Sequence, residues 1–240
     1  MMLDHATHAK LYQTIISQGF AHMVTDFRIR FVKCNYMRIP KIILQRCTCD
    51  EFDAMLGQVL LSLQNLQVLH FICWGCRAER ARHRYLAELP TKNLQKVMFN
   101  CVCTSQLPSN TYQMLASPCM APVMSLSLFD IGAWKDCDVL SARSSLPHLK
   151  KLICYDIELV EAVLPKRTIT HLSVLSAVGF GWLHNIISRI SCSLTYLQVL
   201  QTGDTILYFI AMDSSPYRSL KHLGSLDFGK VRVRDFSESL

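Results

Sequence analysis

The sequence predicts an α/β fold built as a solenoid, in which a curved parallel sheet has helices or irregular segments on its convex side. Three observations predict it. A short apolar pattern recurs seven times after residue 65, the copies follow at similar steps, and the stretches between them are long enough to return the chain to its starting edge. Each copy has two apolar residues three positions apart and usually a third two positions later.

The copies align in three columns. They read Leu66-Leu69-Phe71, Leu94-Val97-Phe99, Val123-Leu126-Leu128, Leu149-Leu152-Cys154, Ile169-Leu172-Val174, Leu194-Leu197-Val199 and Leu220-Leu223-Ser225. Of the 21 aligned positions only Ser225 is clearly polar. The second and third columns are two residues apart, as on one buried face of a strand, so stacked copies would share one continuous core.

The spacing of the copies indicates a repeat class. The steps between first-column residues are 28, 29, 26, 20, 25 and 26 residues. Leucine-rich repeats have periods of roughly 20–29 residues, so every step fits a leucine-rich-repeat-like solenoid. The alternative is an ordinary α/β domain whose strands resemble one another by chance.

The residues before the repeats form a predicted N-terminal cap region, residues 1–63. A loose apolar stripe predicts a helix over residues 1–22, and alternation predicts a strand over residues 23–32. Thr48 and Glu51 have the spacing of a capping box, so a second helix is expected to begin there and lead into the first repeat.

The remainder, residues 64–240, is predicted to be an irregular solenoid of about seven repeats. Apolar spacing predicts helices over residues 181–190 and 204–212. The short step after Leu149 contains Pro165 and predicts little more than a turn. A last strand is expected near residues 231–234, and no obvious polar capping unit follows it, as in a fragment or an irregular ending.

Composition favours an intracellular protein in the cytoplasm or nucleus. The chain has 240 residues, is 50% hydrophobic and has a formal net charge of +7. No apolar run reaches the roughly 18 residues that span a bilayer, and the first residues lack the pattern of a secretory signal, so no membrane association is expected. The basic residues are scattered rather than arranged in a stripe, so no nucleic-acid partner is expected.

Four cysteines form a candidate zinc site. The chain has 11 cysteines, an odd number that argues against a closed disulfide framework. Cys73 and Cys101 each lie seven residues after a first-column residue, so they are expected side by side, about 5 Å apart, with Cys76 and Cys103 nearby. Four thiolates could bind zinc tetrahedrally, but the alternative is a ladder of small buried thiols without any cofactor.

No catalytic motif is present. The sequence has no nucleophile elbow, no phosphate-binding glycine loop and no His-Glu-x-x-His helix. The chain is therefore expected not to be an enzyme, and an α/β enzyme without a recognisable motif is the alternative.

Residues between the columns are expected to face the concave side of the sheet in three rows. The middle row is His70, Met98, Ser127, Ile153, Ser173, Gln198 and Gly224. The amino row, two residues earlier, is Val68, Lys96, Ser125, Lys151, His171, Tyr196 and His222. The carboxyl row, two residues later, is Ile72, Asn100, Phe129, Tyr155, Leu175, Leu200 and Leu226.

The carboxyl row predicts a partner-docking strip, because an open sheet face should not leave successive apolar residues in water without cause. Aromatic residues dominate interface energetics. The candidate partner-binding residues are Phe129, Tyr155, Leu175, Tyr196, Leu200 and Leu226, with His70, Lys96, Lys151 and His171 as polar contributors. The alternative is that the strands end earlier and the carboxyl row turns back into the core.

Three segments resemble a known family. Residues 47–58, 63–70 and 82–89 are similar to sequences of basidiomycete F-box and leucine-rich-repeat proteins. The resemblance implies that the repeats hold a protein substrate, while an F-box docks a Skp-type adaptor of a cullin ubiquitin ligase. Residues 1–22 contain no F-box-like Leu-Pro-x-Glu start, so the resemblance implies the substrate-recognition half only.

Overall fold

The described part of the chain contains both strands and helices. The computed structural model describes residues 5–31, 49–74, 88–102, 115–129, 140, 144–164, 167–176, 180–190, 193–199, 225–227 and 232–234. The helices within these ranges are α1 (His5–Ser17), α2 (Cys49–Ser62), α3 (Ile157–Val163) and α4 (Phe180–Ile190). The strands are β1 (Asp26–Phe31), β2 (Val68–Trp74), β3 (Lys96–Val102), β4 (Ser125–Phe129), β5 (Lys151–Cys154), β6 (His171–Val174), β7 (Tyr196–Val199), β8 (Ser225–Asp227) and β9 (Arg232–Arg234). No described helix is long and apolar enough to cross a membrane.

The described strands form one sheet and lie in it in chain order, from β1 to β9. Strands β1 to β8 are parallel to their neighbours, and β9 runs antiparallel to β8. The predicted α/β class with an open parallel sheet is therefore confirmed.

The register of the sheet follows the columns of the sequence. Second-column residues lie opposite one another from Leu69 to Leu197, and third-column residues from Phe71 to Val199. The first-column residues within the described ranges are all buried, at Leu66, Leu94, Val123, Leu149, Ile169 and Leu194. Each such buried side chain contributes about 1.5–3 kcal/mol of burial free energy, so the columns hold neighbouring strands in this alignment.

The seventh copy is displaced by three residues from its predicted alignment. Leu226, and not Leu223, lies opposite Leu197, so the prediction that puts Leu226 in the carboxyl row is wrong. Leucines three apart allow either alignment, and the correct one, Leu223-Leu226-Phe228, is apolar at all three positions. The polar Ser225 was therefore a sign of the wrong register.

Strand β1 extends the sheet before the first repeat. It pairs with β2 along its whole length, with Phe27 opposite Leu69 and Ile29 opposite Phe71. The strand predicted over residues 23–32 is thereby confirmed, with bounds a few residues shorter. The predicted cap region thus continues the sheet of the repeats.

Helix α1 ends earlier than predicted. Gly19 adopts a left-handed conformation with φ of 68° and donates its amide to the Ile16 carbonyl, which closes the helix as glycine commonly does. A short 3₁₀ turn, Phe20–Met23, follows. Helix α2 begins at Cys49, directly after Thr48; the predicted capping residue itself lies outside the described residues.

The step after Leu149 contains a helix, so the predicted turn is wrong. Asp156 begins α3: its Oδ1 accepts hydrogen bonds from the amides of Glu158 at 2.8 Å and Leu159 at 3.3 Å. An aspartate in this position satisfies amides that the first turn leaves unpaired. The helix predicted over residues 181–190 is confirmed as α4, and the one over 204–212 lies outside the described residues.

All described helices contribute to the same core as the columns. Their buried members are Tyr12 in α1 and, in the other helices, Leu56, Val59, Leu60, Leu159, Val160, Val163, Leu183, Ile186 and Ile187. These helices therefore pack on the column side of the sheet. The residues between the columns form its other side, which we call the open face.

A buried arginine links α3 to the segment before β5. Arg167 donates from Nη1 to the Val163 carbonyl at 2.6 Å and from Nη2 to the Leu140 carbonyl at 2.6 Å. Its Nε donates to the carbonyls of Ser145 at 3.0 Å and Leu146 at 3.3 Å. One side chain thus satisfies the carbonyl of the last residue of α3 and three carbonyls of residues that precede β5.

Candidate partner-binding face

The pleat of the strands produces the three rows of the open face. Because side chains alternate across a strand, residues between two buried columns face the opposite side. The register confirms the amino row and the middle row from β2 to β7, and extends both into β1 with Asp26 and Arg28. In β8 the open-face positions are Ser225 and Asp227 instead of the predicted His222 and Gly224.

The amino row presents cationic and aromatic groups. Lys96, Lys151 and His171 are exposed. The half-buried Tyr196 stacks on the His171 ring, with centroids 5.9 Å apart and planes 25° apart. The Nδ1 of His171 also lies 2.9 Å from the Thr170 hydroxyl, which fixes the ring's orientation from its other side.

The middle row contains two buried serines, one on either side of the half-buried Ile153. Ser127 is 2% exposed and Ser173 is 3% exposed. The Ser173 hydroxyl donates to Oε1 of Gln198 on the next strand at 2.6 Å.

Charged groups from three neighbouring strands meet around His70. Arg28 donates to both carboxylate oxygens of Asp26, from Nε at 2.9 Å and from Nη2 at 2.7 Å. His70 lies beside Arg28 in register, and no described residue offers a hydrogen bond to its buried Nε2. Burial lowers the pKa of His70, and the positive charges of Arg28 and Lys96 lower it further.

The carboxyl row contains an aromatic pair at the ends of the strands. The rings of Phe129 and Tyr155 meet edge to face, with centroids 6.2 Å apart and planes 69° apart. Strand β5 ends at Cys154, yet Tyr155 does not turn into the core: it is 40% exposed. Leu175 is half-buried and donates its amide to the Cys154 carbonyl at 2.8 Å, while Leu200 lies outside the described residues.

The candidate zinc site is only partly within the described residues. Cys73 and Cys101 lie opposite each other in β2 and β3, as the spacing predicts. Cys76 and Cys103 lie outside the described residues, and no three described His, Cys, Asp or Glu side chains form a group that could hold a metal.

Two residues of the face were missed at the sequence level. The sequence predicts the strand that contains Asp26 and Arg28, but the predicted rows begin only at β2. The signal was present, since Phe27 and Ile29 alternate with them and continue the columns. Extending the rows by one strand would have found both residues.

A second apolar surface lies at the N-terminal end. Of the seven exposed large apolar side chains in the described part of the chain, four come from α1 and the turn after it: Leu11, Ile16, Phe20 and Met23. Met23 is the most exposed, at 67%. Exposed apolar groups concentrated in one short segment are typical of interaction sites.

No protein-family model, no curated protein sequence and no solved structure matches this chain.

Proposed function

We propose that the chain is a non-catalytic scaffold of leucine-rich-repeat type that binds a partner protein across its open face. The repeat assignment is supported by the chain-order sheet and by columns that stay in register across copies. A unit with one buried face needs a neighbouring copy to cover it, and this arrangement supplies one on each side.

The observation that carries the binding proposal is the exposure of aromatic rings at both margins of the open face. Tyr155 with Phe129 lies at the carboxyl margin, and Tyr196 with His171 lies at the amino margin. Ring–ring contacts hold these side chains in place before a partner arrives, which lowers the entropic cost of binding. Rigid, partly exposed aromatic side chains are typical hot spots of protein interfaces.

A second part of the proposal concerns the N-terminal apolar surface. The resemblance to F-box proteins implies an adaptor of the Skp type, and Leu11, Ile16, Phe20 and Met23 are exposed apolar side chains of α1 and the turn after it. On this proposal the N-terminal surface docks the adaptor while the open face holds the substrate of a ubiquitin ligase. A zinc-stabilised interaction domain is the alternative, supported by the pairing of Cys73 with Cys101.

Affinity capture from a basidiomycete lysate tests the binding role. The wild-type chain and the double variant Tyr155→Ala, Tyr196→Ala are compared by quantitative mass spectrometry. Loss of the same captured proteins from the double variant is expected. Leu61→Ala is the matched control, because Leu61 has the same 40% exposure as Tyr155 but lies on α2. Capture of the same proteins in equal amounts by the double variant and by the Leu61→Ala control would refute binding through the open face.

The adaptor role is tested separately with a purified Skp-type adaptor. Phe20→Glu with Met23→Glu places two charges on the N-terminal surface and should abolish adaptor binding while leaving capture by the open face unchanged. Adaptor binding that survives these changes would refute the docking surface. One zinc per chain in purified protein, lost in Cys73→Ser, would favour the zinc-stabilised alternative.

A further inference from the structure

We infer that the partner presents an acidic amphipathic segment to the open face, with carboxylates toward the amino row and apolar side chains toward the carboxyl row. This inference rests on the proposed function and names the chemistry of the partner.

The open face is more basic than the chain as a whole. Among its positions whose side chains the structure describes are three cationic residues, Arg28, Lys96 and Lys151, and one acidic residue, Asp26. The whole chain has 25 Lys and Arg against 18 Asp and Glu. Such an excess of cationic over acidic residues on one face produces a positive potential that attracts acidic partners.

The acidic position is also matched by an arginine. Asp26 accepts two hydrogen bonds from Arg28, and this contact lowers the pKa of Asp26 below its usual value. Lys96 and Lys151 are exposed and leave their charge available to a partner.

The exposed lysines of the face lie at its amino margin. The amino row provides Lys96, Lys151 and His171, with the half-buried Tyr196 beside them, while the carboxyl row provides Phe129 and Tyr155. The two rows are four residues apart along a strand, or roughly 13 Å at about 3.3 Å per residue. This is about the width of one helix with its side chains, so a single amphipathic segment spans both rows.

A protein segment fits this arrangement better than a nucleic acid. Lys96 and Lys151 lie two strands apart, with Ser125 between them, so the amino row offers isolated cations about 10 Å apart. A phosphate backbone favours a closely spaced track of cations along its path. Carboxylates that are spaced apart along a peptide can each pair with one isolated cation.

The test is selection of a displayed library of random 20-residue peptides on the intact chain. Enriched peptides should have a net negative charge and contain apolar residues. Synthetic copies should bind Lys96→Glu with Lys151→Glu at least about tenfold more weakly than wild type, and should weaken as NaCl is raised. The matched control is Lys10→Glu with Lys92→Glu, which makes the same charge change at exposed lysines outside the face and should leave affinity unchanged. Circular dichroism verifies that all variants fold.

Three results would overturn the inference. Enriched peptides without acidic bias that still lose binding in Tyr155→Ala would refute the acidic partner and leave the proposed function standing. Absence of any peptide that depends on the open face would count against both. Tighter binding of a 20-nucleotide oligouridylate than of any selected peptide, abolished by Lys96→Glu with Lys151→Glu, would identify the face as a nucleic-acid site instead.

Discussion

The rings of Phe129 and Tyr155 meet edge to face at 6.2 Å, although the two residues come from successive repeats and Tyr155 lies one position beyond the end of its strand. The contact holds an exposed phenol at the carboxyl margin of the open face. We expect the pair to contribute a coupling free energy of about 0.5–1.5 kcal/mol, the usual range for such aromatic contacts.

A double-mutant cycle measures this coupling. Phe129→Leu, Tyr155→Leu and the double variant are compared with wild type by urea denaturation. Free energies of unfolding that add within experimental error would show that the rings do not interact in solution.

Arg167 should be among the most sensitive polar residues in the described part of the chain. Arg167→Met removes the donors of four buried carbonyls, those of Leu140, Ser145, Leu146 and Val163. Unpaired buried groups cost about 1–3 kcal/mol each, so the free energy of unfolding should fall by about 3 kcal/mol or more. Arg189→Met, at an exposed arginine of α4, should change it by no more than about 0.5 kcal/mol. Similar small effects from both substitutions would contradict the role given to Arg167.

His70 should make stability depend on pH on the acidic side of neutrality. Its pKa is lowered in the folded chain, so between that value and the ordinary value of about 6.5 the unfolded chain binds more protons. Stability should therefore decline as the pH falls through about 6.5 and below, and it should be restored as the pH rises. Urea denaturation of wild type and His70→Gln between pH 5 and 8 measures this, with His148→Gln as the control at an exposed histidine. Parallel pH profiles for wild type and His70→Gln would disprove it.

Cys154 should resist alkylation in the folded chain. It is completely buried in the third column, and burial raises the pKa of its thiol to about 12. Since the thiolate is the reactive form, a brief pulse of iodoacetamide at pH 8 should leave Cys154 unmodified until the chain is unfolded in urea. Peptide mapping by mass spectrometry distinguishes it from the other cysteines. Rapid modification of Cys154 in the folded chain would mean that solvent reaches the third column at that position.

The columns could be predicted from sequence because each strand repeats the same buried positions. Val97, Leu126 and Leu152 occupy one register line for the same physical reason that they align in the sequence, namely that each covers the apolar face of its neighbour. The predicted alignment of the seventh copy is wrong because Leu220, Leu223 and Leu226 are equally spaced, so apolar spacing alone allows two alignments.

Other features of the structure have only a weak signal in the sequence around them, or none. Pro165 and the short step between Leu149 and Ile169 predict a turn where the structure has the helix that Asp156 begins. The aspartate cap and the apolar spacing of Leu159 and Val163 favour that helix. The buried position of Arg167 has no sequence signal, since its carbonyl partners come from segments up to 27 residues away. The sequence predicts Tyr155 as a partner-binding residue, but the contact of its ring with Phe129 depends on the path of the chain after β5.

The central claim is that partners bind across the open face, and site-specific photo-cross-linking tests it most directly. The photoreactive residue p-benzoylphenylalanine replaces Tyr155 or Gln198 on the face, or Leu61 on α2, and each protein is irradiated with the acidic peptides selected on the wild-type chain. We predict adducts at Tyr155 and Gln198, lost when Lys96→Glu and Lys151→Glu are added, and none at Leu61. Adducts formed equally at Leu61, or only there, would contradict the account.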